Sequence, residues 1–365
     1  VGVGGLWLGC GRGLLTQSYG FSCDQLTEIE YVDAQGTIRI ANANNDDADM
    51  FWMARGGGGL FPGIVTKFAA RASPKPESVL EAVCFLPLGS LEDAITVWLQ
   101  SLDEYNNPAR KMLSDVTADR NAARIEWNCW GCNQAETATF EQIKETTKSQ
   151  IAALLPGGVA ALNCESDGAT VTYTWEEKLL SRTWDTYSSP ADLVSRPEWP
   201  EWFSSGGENL AGAGMNGGFL VPNDFDISRA LIDTLGGYLR ASPGDAGQRA
   251  SKDSLLLYPM ARNNAAATDT AYGGRDAKLV IHYKHDRIDT NLAEVYRAHV
   301  SVFENTLVTQ YNLPCRGFYN YGDSDMACAP TDDAWLAAFF SDPTRVRNIV
   351  QSQDPNGVFF RQRLQ

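Results

Sequence analysis

Two glycine-rich runs, V-G-V-G-G-L-W-L-G-C-G-R-G from Val1 to Gly13 and R-G-G-G-G-L-F-P-G-I-V-T from Arg55 to Thr66, constrain this chain more than any other feature. Glycine has no side chain, so backbone at these positions can lie directly against a ligand or another stretch of chain. Thirteen of the 33 glycines precede Lys67. A region built this way suits close approach to an extended ligand, and it equally suits a set of tight turns and bulges. Neither run is a G-x-x-x-x-G-K-[ST] phosphate loop or a strand-to-helix dinucleotide fingerprint, so spacing alone leaves both readings open.

A chain of 365 residues, 44% hydrophobic and 21% charged, can bury a large core, and its length suits two domains better than one. Forty-five acidic and 30 basic residues give a net charge of -15, which opposes nonspecific attraction to nucleic acid or anionic membrane. No run of about 18 apolar residues is present to span a bilayer. The eight cysteines are even in number, which permits disulfides without fixing their connectivity. Cys129 and Cys132 form C-W-G-C, the spacing of a redox dithiol or half a zinc site. With no second C-x-x-C and no histidine pair nearby, a disulfide-bearing loop or buried thiols accounts for them, and no metal site is assigned.

Leu26–Val32 and 37–41 flank a turn at 33–36 and read as a hairpin with Ile29, Tyr31, Ile38 and Ile40 as its apolar positions. The next strand covers 63–70, and the prolines at 74 and 76 make a linker. Beyond it, strands are expected at 79–86, 124–129 and 170–175, with helices from Ser90 to Leu102 and from Thr139 to Leu155. The glycine- and alanine-rich stretch 206–222 reads as a surface loop, and 228–239 and 255–260 read as strands. Residues 289–311 place Leu292, Val295, Tyr296, His299, Val302, Phe303 and Leu307 at helical spacing. His299 on that stripe, and His282 and His285 upstream, read as satisfied core histidines. Strands covered by helices give an α+β class.

The first glycine run with its continuation to Gln25, and D-M-F-W-M-A-R-G-G-G-G-L-F-P-G-I-V-T-K-F from Asp49 to Phe68, resemble the berberine-bridge-enzyme-like FAD-linked oxidases of the vanillyl-alcohol-oxidase, or PCMH-type, superfamily. F-Y-N-Y-G-D at 318–323, then Trp335, then D-P-N-G-V-F at 354–359 look like that group's terminal strand, helix and turn. The resemblance implies a PCMH-type fold with part of an FAD-binding domain at 1–72, an antiparallel substrate-type domain at 73–313 and a segment at 314–365 that returns to the first. It implies that the group's opening portion, with the histidine that bonds the flavin, precedes Val1. It also favours a secreted or otherwise oxidising setting.

From the same resemblance, Gly2, Val3, Gly4, Gly5, Gly9, Gly11, Gly56, Gly57, Gly58, Gly59, Gly63, Ile64, Tyr319, Asn320 and Tyr321 are the expected FAD contacts. L-I-D-T-L-G-G-Y-L-R at 231–240 looks like a substrate-domain strand, so Asp233, Tyr238 and Tyr258 are the candidate proton acceptors. Their bland alternative is cross-strand packing. Bulk stands where the group has small residues: Trp7, Cys10 and Leu60-Phe61-Pro62. The implied function is FAD-linked oxidation of a sugar, alcohol or alkaloid-like compound, with oxygen or another acceptor. The alternative is an inactive relative, without FAD, that serves as a structural or binding subunit, its cleft filled by Trp7 and Phe61.

Overall fold

The computed structural model describes residues 2–13, 15–105, 111–120, 122–158, 162–178, 212–243, 252–260, 266, 268–319 and 326–359. The first region starts with two short helices, α1 (Val3–Leu8) and α2 (Thr16–Tyr19). A three-stranded antiparallel sheet follows, with β1 (Leu26–Val32) between β2 (Ile38–Ala41) and β3 (Ile64–Ala70), and α3 (Ala48–Met53) sits between β2 and β3 in sequence. The expected hairpin forms, but its register places Ile38 and Ile40 opposite Val32 and Glu30, on the face away from buried Ile29 and Tyr31. Ile38 is 68% and Ile40 48% exposed. With a period of two, one sheet face receives only one alternate set of residues.

The remainder is organised by an antiparallel sheet in the order β7-β4-β6-β5-β10-β11-β9, with β8 also paired to β4. Its strands are β4 (Val79–Pro87), β5 (Met112–Asp119), β6 (Ala122–Trp130), β7 (Asn163–Cys164), β8 (Val171–Tyr173), β9 (Gly212–Pro222), β10 (Lys252–Pro259) and β11 (Ala277–Asp289). Helices of this part include α4 (Leu91–Tyr105), α5 (Gln134–Leu154), α6 (Arg229–Arg240) and α7 (Ala293–Tyr311). The C-terminal pair is α8 (Asp332–Phe339) and α9 (Pro343–Gln353). The α+β class is therefore the observed one.

The two faces of the large sheet differ in chemistry. Val116, Ile125, Trp127, Leu257, Ile281, Tyr283 and Phe219 belong to one core with Ile95, Trp98, Leu235, Phe303 and Leu307 of the covering helices. Trp98 satisfies its indole N–H on Ser114 Oγ at 3.0 Å, so the large ring is buried without an orphan donor. The alternate residues Asp115, Arg124, Glu126, Tyr258 and His282 occupy the opposite face. There a small apolar cluster of Cys10, Phe21, Cys23, Leu220, Met260, Tyr272, Val280 and Phe318 joins the sheet to the first region.

Several sequence expectations are corrected. Residues 212–222 are not loop but strand β9, paired with β11 from Pro222↔Ala277 to Gly212↔Asp289. Residues 228–239 are not strand but α6, started by Ser228 Oγ accepting the Leu231 N–H at 3.2 Å. Leu231, Leu235, Tyr238 and Leu239 lie on its buried side, a helical period that the Gly236-Gly237 pair disguises. A Cβ at Gly236 would stand 2.1 Å from Glu92 Oε1, so glycine lets α6 close on α4 where Arg240 and Glu92 pair. Helix α5 starts five residues before the expected Thr139, because Asn133 and Glu136 form a reciprocal capping box. The strand expected at 170–175 is only three residues long, and β5 and β11 were not anticipated. On α7, Val295 and Val302 are 49% and 66% exposed; the buried stripe is Tyr296, Val300, Phe303 and Leu307.

Candidate functional site

The two glycine runs meet. Gly56 donates its N–H to Leu8 O at 2.9 Å, tying the second run to the end of α1. Gly59 N donates to the Tyr319 hydroxyl at 2.8 Å, bringing the C-terminal signature to the same place. Gly58 has φ +54°, and a Cβ there would fall 1.9 Å from the Tyr319 ring. The corresponding positions at Gly56 and Gly57 meet Tyr272 N at 2.3 Å and Met53 O at 2.5 Å. On that side these glycines therefore permit protein packing. At Gly2, Gly5 and Gly13, by contrast, nothing among the described residues lies within 4 Å of an added Cβ, and at Gly4 the nearest described atom is on Phe68 at 3.7 Å. Gly11 packs on Leu6 and Gly63 on Phe61 and Tyr31; Gly9 caps α1, Val3 is 58% exposed, and Ile64 opens β3.

The bulky residues each pack against other protein groups. Trp7 packs edge-on against Phe68 of β3, with ring centroids 5.0 Å apart. Phe61 packs the same way on Tyr31 at 5.6 Å, and Leu60 is buried in the same core. Cys10 is joined to Cys23. The space in front of the open glycines is therefore not filled by the residues expected to fill it, and the segment fits an extended cofactor lying against its backbone.

Arg12 carries the first region onto the polar face of the large sheet. Its Nη2 lies 3.0 Å from Asp115 Oδ1, its Nε donates to Pro259 O at 3.2 Å, and its guanidinium carbon sits 4.5 Å from the centre of the Tyr258 ring. Both side chains of the Arg12–Asp115 pair are 8% exposed. Tyr258 is followed by His282 on the neighbouring strand, with ring centroids 6.1 Å apart. His282 pairs with Gly218 of β9, whose carbonyl accepts the Phe318 N–H at 2.9 Å, one residue before Tyr319. From the glycine junction the Phe318–Gly218 backbone bond leads to His282, and side chains continue through Tyr258 to Arg12 and Asp115.

It continues into a buried charge network. Glu126 lies opposite Asp115 in the β5–β6 register and contacts Arg124; it also accepts from Asn128 Nδ2 at 2.7 Å and has Lys178 Nζ at 3.6 Å. Lys178 also pairs with Glu81. Burial pushes the Lys178 ammonium down to about 8. Burial, helped by the nearby Lys284 charge, pushes His282 down to about 3, so its imidazole is neutral at physiological pH. Burial raises the Tyr319 phenol, opposed by the hydrogen bond from Gly59.

Of the three proton-acceptor candidates, only Tyr258 is on this face. Asp233 lies on α6, 2.7 Å from Arg229 Nε, with its side chain 56% exposed. Tyr238 lies under α6 on the helix-covered side, stacked on Phe303 and His299 at 3.8 and 4.4 Å, with its hydroxyl on His285 Nε2. Their expected strand is a helix, which carries both away from Tyr258. Asn320 and Tyr321 lie outside the described residues. His285 is the satisfied core histidine expected, held on Asp253 Oδ1 at 2.9 Å. His282 was missed as a face residue; the signal was there in V-I-H-Y-K-H at 280–285, where alternation puts it with Val280 and Lys284. A surface groove of about 600 Å³ lined by Leu99, Asp103, Asp226 and Lys278 lies beside α4 and contains none of these groups.

The cysteines are all paired, Cys10–Cys23, Cys84–Cys164, Cys129–Cys132 and Cys315–Cys328. The C-W-G-C pair is thus a disulfide that ties the end of strand β6 to the turn that follows it. Among the described residues, no helix is long and apolar enough to cross a membrane.

No protein-family model matches the chain. It is 35% identical over 99 residues to the FAD-linked oxidoreductase ptmO of Penicillium ochrochloron, covering 27% of this chain and 22% of that one. It is 42% identical over 77 residues to the uncharacterized FAD-linked oxidoreductase YgaK of Bacillus subtilis, covering 20% of this chain and 17% of that one. The chain thus spans 22% or less of these two relatives' lengths. Among solved structures, the Physcomitrella patens BBE-like 1 protein superposes with TM-score 0.76 at 18% identity, over 100% of this chain and 71% of that one. The glucooligosaccharide oxidase of Acremonium strictum gives 0.73 at 18% identity, over 99% and 70%.

Proposed function

We propose that this chain, a member of the berberine-bridge-enzyme-like group of FAD-linked oxidases, takes part in oxidation of a sugar, alcohol or alkaloid-like small molecule with FAD as cofactor. The observation that carries the reading is the convergence of both glycine runs and Tyr319 at one junction facing the polar side of the sheet. FAD, when bound, supplies a ring that accepts two electrons. Gly2, Gly4, Gly5 and Gly13, with their open approach, would hold it along the first segment, while Gly56–Gly59 and Tyr319 fix the wall behind.

The chain's own residues then do the remaining work. Arg12 holds the Tyr258 ring in place by its position over the aromatic face. Tyr258, as the phenolate that the Arg12 cation favours, would take the hydroxyl proton of a substrate on this face and become the neutral phenol. His282, kept neutral by burial, retains one ring N–H that donates to the oxygen of the same hydroxyl. Glu126, Asn128 and Lys178 extend the polar floor. Four disulfides support an oxidising compartment. The packing of Trp7 on Phe68 and of Phe61 on Tyr31 supports this reading over that of an inactive relative whose cleft those rings fill.

The test is the visible absorption spectrum of the natural full-length protein purified from its source. A flavin band bleached anaerobically by a sugar, alcohol or alkaloid-like substrate is expected, and a protein without any flavin band overturns the proposal.

A further inference from the structure

Arg275 is buried to 3% side-chain exposure and its Nη2 lies 3.6 Å from both sulfurs of the Cys10–Cys23 disulfide. The same nitrogen donates to Asp24 Oδ1 at 2.6 Å and Thr270 Oγ1 at 3.0 Å, and Nη1 donates to Asp24 Oδ2 at 2.8 Å. Asp24 Oδ1 is 3.8 Å from the Cys23 sulfur, so Cys23 feels both charges. Cys10 is the sulfur placed against the cation. The disulfide stands where the first glycine segment joins the sheet: Ser22 N donates to Gly11 O at 3.0 Å, and Leu8 O accepts from Gly56. Both sulfurs are buried, but none of the six residues of α1 is. Lifting α1, with Arg12 still held on Asp115, therefore exposes little core, which makes it a low-cost local opening.

We propose that Cys10–Cys23 is a redox-responsive clamp on the glycine segment, with Arg275 stabilising the reduced state. A dithiol reductant attacks Cys23 Sγ; the sulfur–sulfur bond breaks and Cys10 leaves as a thiolate against the guanidinium. The reductant's second thiol then attacks the mixed disulfide, releasing Cys23 as a thiol. The protein gains two electrons, the dithiol is oxidised to its cyclic disulfide, and of its two protons one stays on Cys23 while the other enters solvent. A cation beside the leaving sulfur favours reduction by stabilising the thiolate. The proposal is independent of whether flavin is bound.

Cys315–Cys328 supplies an internal reference, because its sequence separation of 13 equals that of Cys10–Cys23 and loop-closure entropy is matched. The full chain is equilibrated in mixtures of reduced and oxidised dithiothreitol, quenched in acid, alkylated and mapped by mass spectrometry. Cys10 and Cys23 are expected to be half reduced at a reduced-to-oxidised ratio about ten-fold lower than Cys315 and Cys328. Reduction is also expected to speed hydrogen exchange at Gly11 and Gly56. Arg275→Met should raise the ratio needed, and Asp24→Asn, which leaves the cation uncompensated, should lower it. Arg275→Lys keeps the charge and guards against a methionine variant that fails to fold. Reduction of Cys10–Cys23 together with or after Cys315–Cys328 overturns the proposal, as does an Asp24→Asn shift that is absent or of opposite sign.

Discussion

Substituting Gly58 by alanine probes the junction on which the functional reading stands. Two costs follow from the structure. At φ +54° an L-residue is left-handed, which costs about 1–2 kcal/mol. The new methyl group would also stand 1.9 Å from Tyr319 Cε1, a clash that only a shift of the Tyr319 segment relieves. Overpacking of this kind costs about 1–3 kcal/mol. Gly58→Ala should therefore destabilise the protein by about 2–5 kcal/mol in urea unfolding followed by far-ultraviolet circular dichroism. The two costs are separable, because in the background of Tyr319→Ala the steric part disappears and the backbone part stays. The double-mutant cycle should thus show a coupling of at least about 1 kcal/mol. Gly58→Ala within about 0.5 kcal/mol of wild type, the range of ordinary surface changes, would mean that Tyr319 does not lie across this run and would remove the convergence of the motifs.

Three further outcomes follow. Trp7→Thr should lower stability modestly through loss of the Phe68 contact, by about 1 kcal/mol, and leave the emission of bound flavin unchanged; a rise in emission would place the indole on the ring instead. Arg12→Met leaves Asp115 buried without its cation and should cost about 3 kcal/mol or more in urea unfolding, whereas Asp115→Asn with Arg12→Met should recover part of that loss. Burial raises the Asp253 carboxyl, but hydrogen bonds from His285 and Ser242 together with the His285 charge outweigh it, so the net shift is downward from 3.8. A depressed folded value stabilises above the unfolded value and is lost as pH falls through the folded one. Wild type should therefore lose stability relative to Asp253→Asn as pH drops below about 4, and parallel curves for the two proteins from pH 7 to 3 would refute the assignment.

The strands of the first region were legible in the sequence, because their signals are local, whereas helices α1, α2 and α3 were not. The β1–β2 hairpin, β3 and the linker after it are each announced by alternation, a turn or paired prolines within a few residues. The large sheet was half legible. Strand β4 and helix α4 follow simple periods, whereas β9 and α6 depend on glycines whose role is set by partners far away in sequence. Gly236 reads locally as a helix breaker, yet it is the position where Glu92, from another helix, needs room. Glycine propensity is a weak prior that this tertiary contact overrides. The same blindness misplaced Asp233 and Tyr238, whose roles were inferred from a strand that does not exist.

His282 and His285 show what a single strand can divide. They are three residues apart on β11, an odd separation, so the pleat sends one to each face. On the helix side His285 closes a buried chain from Tyr238 to Asp253, and every partner is a protein group. On the other side His282 stands beside Tyr258 among the residues reached by Arg12 and the segment that carries Phe318 and Tyr319. Composition treats the two histidines alike, and so does burial. What separates them is which layer the sheet presents to each: helices that complete a core, or a glycine-rich segment whose Gly2, Gly5 and Gly13 remain open. The proposed oxidation places its chemistry on the second side, so replacing His282 by Gln is expected to alter that activity while leaving the Tyr238–His285–Asp253 chain intact. Loss of folding in His282→Gln equal to that of His285→Gln, read from the same urea transition, would show that both serve the core.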